Sequence, residues 1–364
     1  MTTRILALAH PGEVEVLAER DGALLDYALW RPGWPDGVGD LHRGRVQARV
    51  PQMAGAFVAV EGAVGFLPDS DGGAGVGEGD ALLVRVTRAA QGGKGPRLTA
   101  RLSPKEAALA HAGPAPALVR RGFGAVERLA ALHPAAAVLA DDPALAAGLR
   151  SSLGDRVALA RDVLDEGLAE QVAALAAPDA MLPGGLRASF HPTPALVAVD
   201  VDTAGSTAGR QPKAAALLAL NRAALPALAA QLRLRNFSGA ILVDLAGLSP
   251  QRRAGLGGDL RAALAADPLG PRLLGFTAMG FAEIVRARVH PPLHELRAGP
   301  VAAGLAALRA VEREGAARLR ASPGVAAVLE ADAAARDGLA RRTGRSLILA
   351  VDPALPPNGW ALES

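Results

Sequence analysis

Three aspartates are the residues whose type and spacing best suit a chemical role: Asp200, Asp202 and Asp244. Asp200 and Asp202 lie in the stretch VAVDVDTAG, and alternate residues of a strand point to the same face. Asp244 ends the apolar run AILVD, 44 residues after Asp200. Since a strand, a helix and a second strand usually give parallel neighbours, we expect Asp244 near Asp200 at the carboxyl edge of one sheet.

Carboxylates that converge in this way repel one another unless a cation joins them. Oxygen ligands fit Mg²⁺ or Mn²⁺, which keep several waters and bind phosphate oxygens. The chemistry indicated is attack of water on a phosphodiester with metal assistance. The alternative is that each aspartate caps a helix or ends a strand. It stays open for Asp202, and it suits Asp244 less because an unpaired buried carboxylate is costly.

The elements that must position these acids follow from the apolar patterns. The segment ASFHPTPALVAVDVD predicts a hairpin, residues 211–235 predict a long helix with a kink or break at Pro226, and AILVDLAG predicts a buried strand. The segment QRRAGLGGDLRAALAADP predicts one further helix. These elements together form an α/β unit.

The remainder of the chain separates into three further parts. EVEVLAERDGALLDYAL predicts a hairpin around an Arg-Asp-Gly turn. Residues 41–103 give short strands with glycine-rich turns, ending in RLTARL, and this pattern favours a small β-barrel. Helix and strand alternate from about residue 113, beginning with the strand ALVRR, and the last 60 or so residues predict a small α/β domain.

Composition limits the kind of protein. The 364 residues include no cysteine, which excludes disulfides and thiolate zinc sites and favours a reducing cytoplasm. The apolar run ILALA is too short for a signal peptide, and the longest apolar stretch is interrupted by Arg222, Pro226 and Arg233, so we expect no membrane span.

Arginine dominates the basic residues. Only three of the 39 are lysine, which leaves 36 arginines against a net charge of +3. Arginine pairs with phosphate in a planar, bidentate way, which suits a nucleic-acid partner. The alternative is that GC-rich coding has enriched arginine and that many of these side chains simply solvate helix faces.

The segment QLRLRNFSGAILVDLAGLSPQRR, together with PALVAVDVDTAG before it, resembles the ribonuclease E/G family. The resemblance implies a DNase I-like subdomain in which Asp200 and Asp244 are catalytic and hold Mg²⁺, with Mn²⁺ as a possible substitute and Asp202 in support. It also implies RNA-binding or supporting roles for Asn221 in the intervening helix and for Arg286 and Arg288, within the similar segment LLGFTAMGFAEIVRAR.

The resemblance extends over most of the chain and implies a multidomain α+β and α/β fold. An S1 (OB-type) barrel is inserted in a split RNase H-like subdomain, and a DNase I-like subdomain and a small C-terminal α/β domain follow. The expected boundaries, in that order along the chain, are 1–37 for the first part of the RNase H-like subdomain, 38–105 for the barrel, 113–187 for the second part, 188–290 for the catalytic subdomain and 300–364 for the C-terminal domain.

The barrel segment is similar to the family's single-stranded RNA-binding domain. Phe57 and Phe66 lie where that domain has RNA-contacting aromatics, and Lys94 matches its basic position. Exposed rings stack on bases and basic residues follow phosphates in such barrels. The alternative is that both rings belong to the barrel core.

Four departures from the family pattern restrict what the resemblance implies. The region that senses a 5′-monophosphate is largely missing after TARLSP. HPPLHEL, with His290 and His294, stands where the family has zinc-binding cysteines, so we expect no zinc, while a homodimer through other surfaces stays possible. Ala278-Met279 replaces an Arg-Phe pair, and Asp202 replaces an asparagine.

The leading hypothesis is a Mg²⁺-dependent endoribonuclease that cleaves single-stranded RNA, of the kind that processes rRNA and mRNA, and leaves a 5′-phosphate and a 3′-hydroxyl. The first alternative is an RNA-binding or ribosome-associated protein on the same scaffold with weak or no catalysis. A second is a purely structural assembly subunit, which would show none of the salt-dependent RNA affinity that phosphate contacts produce.

Overall fold

A computed structural model describes residues 2–109, 113–203 and 214–363. These residues form twenty strands and eleven α-helices. The strands are β1 Thr3–His10, β2 Glu13–Arg20, β3 Ala23–Trp30, β4 Leu41–Val50, β5 Gly55–Val60, β6 Ala63–Pro68, β7 Ala81–Arg88, β8 Arg97–Thr99, β9 Ala117–Arg120, β10 Ala137–Ala140, β11 Val157–Leu159, β12 Asp179–Leu182, β13 Leu186–Pro192, β14 Leu196–Thr203, β15 Gly239–Asp244, β16 Arg272–Phe276, β17 Ala282–Arg286, β18 Arg318–Ala321, β19 Ile348–Val351 and β20 Trp360–Glu363. The helices are α1 Pro104–Ala107, α2 Ala125–Leu132, α3 Pro143–Leu153, α4 Glu166–Ala174, α5 Ala214–Leu234, α6 Pro250–Ala254, α7 Gly257–Leu264, α8 Leu293–Leu296, α9 Gly299–Glu314, α10 Pro323–Ala331 and α11 Ala333–Thr343.

The chain divides into two compact units. The first combines 1–33, 125–287 and 292–364, and the second combines 34–124 with the short segment 288–291. The mixed α/β composition and the presence of several sheets agree with the sequence.

The first sheet of the first unit is assembled from two distant parts of the chain. Its strand order is β11-β10-β1-β2-β3. The predicted hairpin of β2 and β3 is confirmed, and β10 pairs in parallel with β1. Residues from before and after the second unit therefore share one sheet, with α2 and α3 over its buried valines and alanines.

The second sheet carries the candidate acids. Its order is β12-β13-β14-β15-β17-β16, and β14 and β15 are its one parallel pair among the described strands. The predicted hairpin of β13 and β14 is confirmed. Helices α5 and α7 cover one face, where Val199, Val201, Ile241 and Val243 are buried with leucines of both helices. The alternate residues of β14 and β15 lie on the opposite face, which we name the open face.

Helix α5 continues through Pro226. The sequence predicts a kink or break at this residue, and the break is wrong, because the helix extends without interruption to Leu234. A proline removes one helical hydrogen bond, and burial of the neighbouring Leu225 and Leu228 in the core offsets that loss. By length and composition Ala215–Leu234 could cross a membrane, but core helices meet the same criterion, so this is weak evidence.

Two other elements differ from expectation. The single helix expected after β15 is two helices, α6 and α7, separated at Gly255-Leu256. The strand expected as RLTARL ends at Thr99, because Ser103 then caps α1.

The first unit ends in a three-stranded sheet with the order β19-β18-β20. Helices α9, α10 and α11 pack on it around Leu305, Leu308, Leu319 and Leu329. This segment therefore combines helices and strands, as its sequence pattern predicts.

The second unit is a closed five-stranded β-barrel. Its strands run β4-β5-β6-β8-β7, and β7 returns to β4. The buried residues Val46, Val58, Leu67, Val84 and Leu98 fill the inside. The expected boundary at residue 113 differs from the structure, since β9 pairs with β4 and the unit extends to Gly124.

Candidate functional site

Asp200 and Asp244 are neighbours on the open face of the second sheet. The parallel register of β14 and β15 makes them Cα partners, and Asp244 is the last residue of its strand. Partners in adjacent strands lie about 4.8 Å apart. The Asp200 side chain is exposed, whereas that of Asp244 is 35% exposed. The two carboxylates predicted to converge at this edge are therefore brought to one place on the sheet.

Asp202 does not join them to form a three-ligand site. It lies two residues beyond Asp200 on the same face, and its Oδ1 accepts a hydrogen bond of 2.6 Å from the backbone N–H of Thr203. Residues 204–213, which follow, lie outside the described part of the chain. Within that part, no group of three or more histidine, aspartate and glutamate side chains is placed to hold a metal ion.

Arg253 is the residue that the sequence analysis missed at this site. Its Nη1 lies 2.5 Å from Oδ1 of Asp244, and its side chain is 13% exposed. Oδ1 of Asp244 and Nε of Arg253 are enclosed and make no hydrogen bond of good geometry within the described residues. Arg253 lies on α6, which starts at a Ser-Pro pair six residues after the strand. The segment SPQRR is part of the stretch that resembles the family. Its spacing does not indicate which of its two arginines contacts Asp244.

A tight turn closes the side of the site beside α6. Thr277 and Gly280 are joined by a backbone hydrogen bond of 2.8 Å, and Oγ1 of Thr277 accepts from the N–H of Phe281. Gly280 has a φ of +89°, and a Cβ there would lie 3.0 Å from Cα of Pro250. Glycine therefore allows the turn to approach α6. Met279, at the position where the family's pattern has a phenylalanine, is exposed.

Asn221 lies behind the acids and not on the surface. It is 1% exposed, its Nδ2 donates to the carbonyls of Leu217 and Ala246 at 2.8 and 3.0 Å, and its Oδ1 accepts from the N–H of Ala246 at 3.1 Å. All the described contacts are with backbone. This position supports the segment after Asp244, and the described geometry gives no route to the RNA contact expected for this residue.

Arg286 also lies inside the unit. It is 4% exposed, its Nε donates to Asp267 at 2.6 Å, and its Nη1 donates to Oδ1 of Asn236 at 2.6 Å and to the carbonyl of Phe237 at 3.2 Å. These bonds join the end of β17 to the turns around α5 and α7. The expected contact with RNA has no support in this buried position.

A second group of expected residues lies on the outside of the barrel. Phe57 and Phe66 are cross-strand partners with ring centroids 5.6 Å apart in an edge-to-face arrangement. Both are half-buried and neither belongs to the barrel core, which was the alternative expected from the sequence. A Cβ at Gly55 would lie 2.4 Å from the Phe66 ring, so the ring can occupy its position only because residue 55 has no side chain.

The aromatic pair continues into two arginines. Phe66 is the Cα partner of Arg97 on β8, and Arg97 is the partner of Arg88 on β7. Four adjacent strands thus place Phe57, Phe66, Arg97 and Arg88 in one row, which we name the barrel row. The two arginines were not predicted, although the hairpin sequence VTRAAQGGKGPRL places one on each strand.

Positive charge concentrates at the arginine end of the barrel row. Burial, followed by the charges of Arg97 and Arg288, lowers the pKa of Arg88. Arg97 donates to Asp71 at 2.9 Å, and the exposed Lys94 lies in the tight turn between β7 and β8. Arg288, expected to contact RNA, therefore lies close to Arg88 in the barrel unit.

The two histidines of HPPLHEL have separate contacts. Nδ1 of His290 lies 2.6 Å from Oδ2 of Asp36, and the ring of His294 lies 5.8 Å from that of Phe237. Burial lowers the pKa of His294.

Residues 149–289 match the model of the Ribonuclease E/G family. This match supports the assignment of this part of the chain to the ribonuclease E/G family. The match covers all six strands of the second sheet, both partnered aspartates, Arg253 and Asn221, whereas the barrel lies outside it. No curated protein matches the chain. The assignment implies ribonuclease activity at the level of the family and suggests an endoribonuclease in RNA processing.

The donors at the Asp200–Asp244 pair fit a hard divalent cation. Asp200 and Asp244 offer carboxylate oxygens only, and one of these, Oδ1 of Asp244, is enclosed without a hydrogen bond of good geometry among the described residues. Mg²⁺ is held by one or two carboxylates when it keeps its waters and meets phosphate oxygens. Two carboxylates in register are therefore enough for such an ion, with the positive charge of Arg253 opposing it.

Proposed function

We propose that this protein is a Mg²⁺-dependent endoribonuclease that cleaves single-stranded RNA and leaves a 5′-phosphate and a 3′-hydroxyl. The observation that carries the proposal is the register of Asp200 with Asp244 on the open face, at the end of the sheet's parallel pair. Family membership of the same segment supports the reaction class. Mn²⁺ is expected to replace Mg²⁺, because both prefer oxygen ligands.

In the proposed reaction Asp200 and Asp244 would hold the metal through their carboxylates. When bound, Mg²⁺ supplies charge neutralisation of the scissile phosphate and a more acidic water. Asn221 fixes the backbone of Ala246, two residues past Asp244, and so keeps the strand end in place. The oxygen of water forms a bond to phosphorus and gives up one proton, the bond from phosphorus to the 3′-oxygen breaks, and the 3′-oxygen takes up one proton.

The barrel row holds the strand in this proposal. Bases stack on Phe57 and Phe66, while Arg97, Arg88 and the nearby Lys94 and Arg288 meet phosphates. The five-stranded Greek-key barrel supports an S1, OB-type domain. The sheet shared by residues 3–30 and 137–159 supports a split RNase H-like subdomain, and the second sheet with α5 supports a DNase I-like subdomain.

Other parts of the proposal rest on the sequence alone. A cytoplasmic location rests on the absence of cysteine, and a homodimer would form through surfaces other than the missing zinc link. Zinc and sensing of the 5′ end are left out because the cysteines and the sensor region of the family pattern are missing.

Cleavage of an end-labelled single-stranded RNA by the purified protein tests the proposal. We expect cleavage with Mg²⁺ and none with EDTA. The cleavage rate should fall roughly 100-fold or more in Asp244→Asn and in Asp200→Asn, because loss of a metal ligand should cost at least as much activity as loss of a group that orients one. Asp259→Asn is the matched control, because Asp259 is half-buried on α7, away from the acid pair in sequence, and pairs with Arg222. Extension of the products by poly(A) polymerase checks for the 3′-hydroxyl.

Two results would contradict the nuclease. Cleavage that persists in EDTA would show that the reaction does not need a metal ion. Unchanged cleavage by Asp244→Asn would show that Asp244 is not part of the active site. Salt-sensitive RNA binding without cleavage by the wild type would instead support the RNA-binding alternative.

A further inference from the structure

Arg253 pairs with one of the two acids of the proposed site. Its guanidinium lies 2.5 Å from the Asp244 carboxylate, and the neighbouring strand brings the exposed Asp200 beside the same carboxylate. Two carboxylates in register raise each other's electrostatic energy unless a positive charge lies close by. Arg253 supplies that charge from the chain itself.

We propose that Arg253 is a resident counter-ion of Asp244, which opposes divalent-cation binding at the Asp200–Asp244 pair and gives way when the cation binds. The inference rests on the proposed metal site. It follows from charge and burial, because a guanidinium with a 13% exposed side chain is poorly screened by water and repels a divalent ion on the same carboxylate.

The incomplete hydrogen bonding between Arg253 and Asp244 agrees with displacement of Arg253 by a cation. Oδ1 of Asp244 and Nε of Arg253 both lack a hydrogen bond of good geometry in the part of the chain that the structure describes. A pair that is close but incompletely bonded is easier to separate than a bidentate one. A displaced guanidinium stays near the site, where a phosphate oxygen is its natural ligand.

Binding of Mn²⁺ alone to metal-free protein tests the inference without using activity. The free-ion signal in electron paramagnetic resonance gives the Kd for the full chain. We expect Arg253→Gln to lower this Kd on the order of tenfold, because one positive charge beside the ion is removed, and Arg253→Lys to stay within about twofold of the wild type. Arg252→Gln is the matched control, since Arg252 is the exposed neighbour on the same helix and carries the same charge.

Stability in EDTA gives a second readout. Without its counter-ion the acid pair should lower the melting temperature of Arg253→Gln, and Mn²⁺ should raise it by more than it raises that of the wild type, since tighter ligands stabilise more. If Arg253→Gln does not fold in EDTA, refolding in the presence of Mn²⁺ is the expected result, and failure to recover with Mn²⁺ would contradict the inference.

The outcomes separate this inference from the proposed function. Weaker or unchanged Mn²⁺ binding in Arg253→Gln, with binding by the wild type that Asp244→Asn abolishes, would overturn the counter-ion and leave the metal site standing. Tighter Mn²⁺ binding in Arg253→Gln, with no RNA cleavage by the wild type, would support the counter-ion and overturn the nuclease. Absence of Mn²⁺ binding in both proteins would overturn both.

Discussion

Asn221 shows how a single buried amide can serve a site that it does not touch. It uses both ends of its amide on the backbone of Ala246, and its Nδ2 also donates to Leu217 one turn earlier on α5. Helix α5 is thereby joined to the segment that follows Asp244. A hydrophobic side chain of the same size would leave the N–H of Ala246 buried without a partner.

We predict that Asn221→Ala destabilises the protein by roughly 1–3 kcal/mol, which is the cost of leaving buried polar groups unpaired. Cleavage should fall with it, whereas affinity for RNA in EDTA should stay within about twofold, because the side chain is buried. Chemical denaturation and fluorescence anisotropy measure the two effects.

Arg222→Ala is the matched control for Asn221. The Arg222 side chain is the next residue on α5, is exposed and makes a surface ion pair with Asp259, so its removal should cost less than about 0.5 kcal/mol. A clear drop in RNA affinity in Asn221→Ala at unchanged stability would support the direct contact of Asn221 with RNA that the sequence predicts.

The sequence could predict the acids but not the surroundings of the acids. Asp200 and Asp244 follow from strand alternation and from the strand–helix–strand order, both of which are local patterns. The roles of Asn221, Arg253 and Arg286 depend on partners 25, 9 and 19 residues away in a folded geometry, so no local pattern fixes them. Arginine on a surface segment and arginine in a buried ion pair look alike in the sequence.

Helix α1 is a short element whose position depends on one carboxylate. Ser103 and Glu106 form a capping box, and the Glu106 carboxylate also accepts from Arg85 at 2.8 Å and from Arg120 at 3.3 Å. The bond from Arg85, the largest cause, lowers the pKa of Glu106 from its ordinary 4.5 to about 2. The four-residue helix is thereby held against β7 and β9 of the second unit.

We predict that Glu106→Gln costs roughly 1–2 kcal/mol at pH 7, through weaker charge-assisted bonds and a weaker cap. The carboxylate is favoured in the folded state, so its contribution is complete above pH 4.5 and is lost as the pH falls towards about 2. The difference between wild type and variant should therefore shrink across this window in denaturation followed by circular dichroism.

Glu78→Gln provides the comparison for Glu106, because Glu78 is an exposed glutamate of the same unit that accepts one backbone hydrogen bond. It should show little effect at any pH. An equal loss of stability in both variants, or a difference for Glu106→Gln that grows below pH 4, would show that the carboxylate is not held by the arginines.

Elements with a strong repeat were predictable and those decided by packing were not. The hairpins β2–β3 and β13–β14 follow from alternation and turn residues. The short strand β9 carries no signal that assigns it to the barrel, because its four residues pair with β4 across more than 70 residues of chain. Pro226 predicts a kink or break from local pattern alone, but the helix continues through it, because the core packing of α5 outweighs one missing hydrogen bond.

Charge is unevenly divided over the whole molecule. The barrel unit contains twelve arginines and lysines and eight aspartates and glutamates, a net charge of +4, which leaves −1 for the first unit within the total of +3. Net charge for the whole chain hides this division. Attraction of a polyanion should therefore come from the barrel unit, whereas the acid pair lies in the other unit.

We predict that affinity for single-stranded RNA, measured by anisotropy in EDTA, falls steeply with salt because phosphates meet the basic end of the barrel row. Arg88→Gln with Arg97→Gln should reduce the slope of log K against log salt by roughly 1.4, about 0.7 for each phosphate that is no longer neutralised. Phe57→Leu with Phe66→Leu should instead weaken binding at every salt concentration, by roughly 1–3 kcal/mol per stacked base, and leave the slope unchanged. Asp244→Asn, in the unit of opposite charge, should change neither the RNA affinity nor its salt slope.

A wild-type slope near zero would mean that phosphate binding does not drive association. An equal change of slope in both double variants would show that the barrel row is not divided into a stacking end and a charged end.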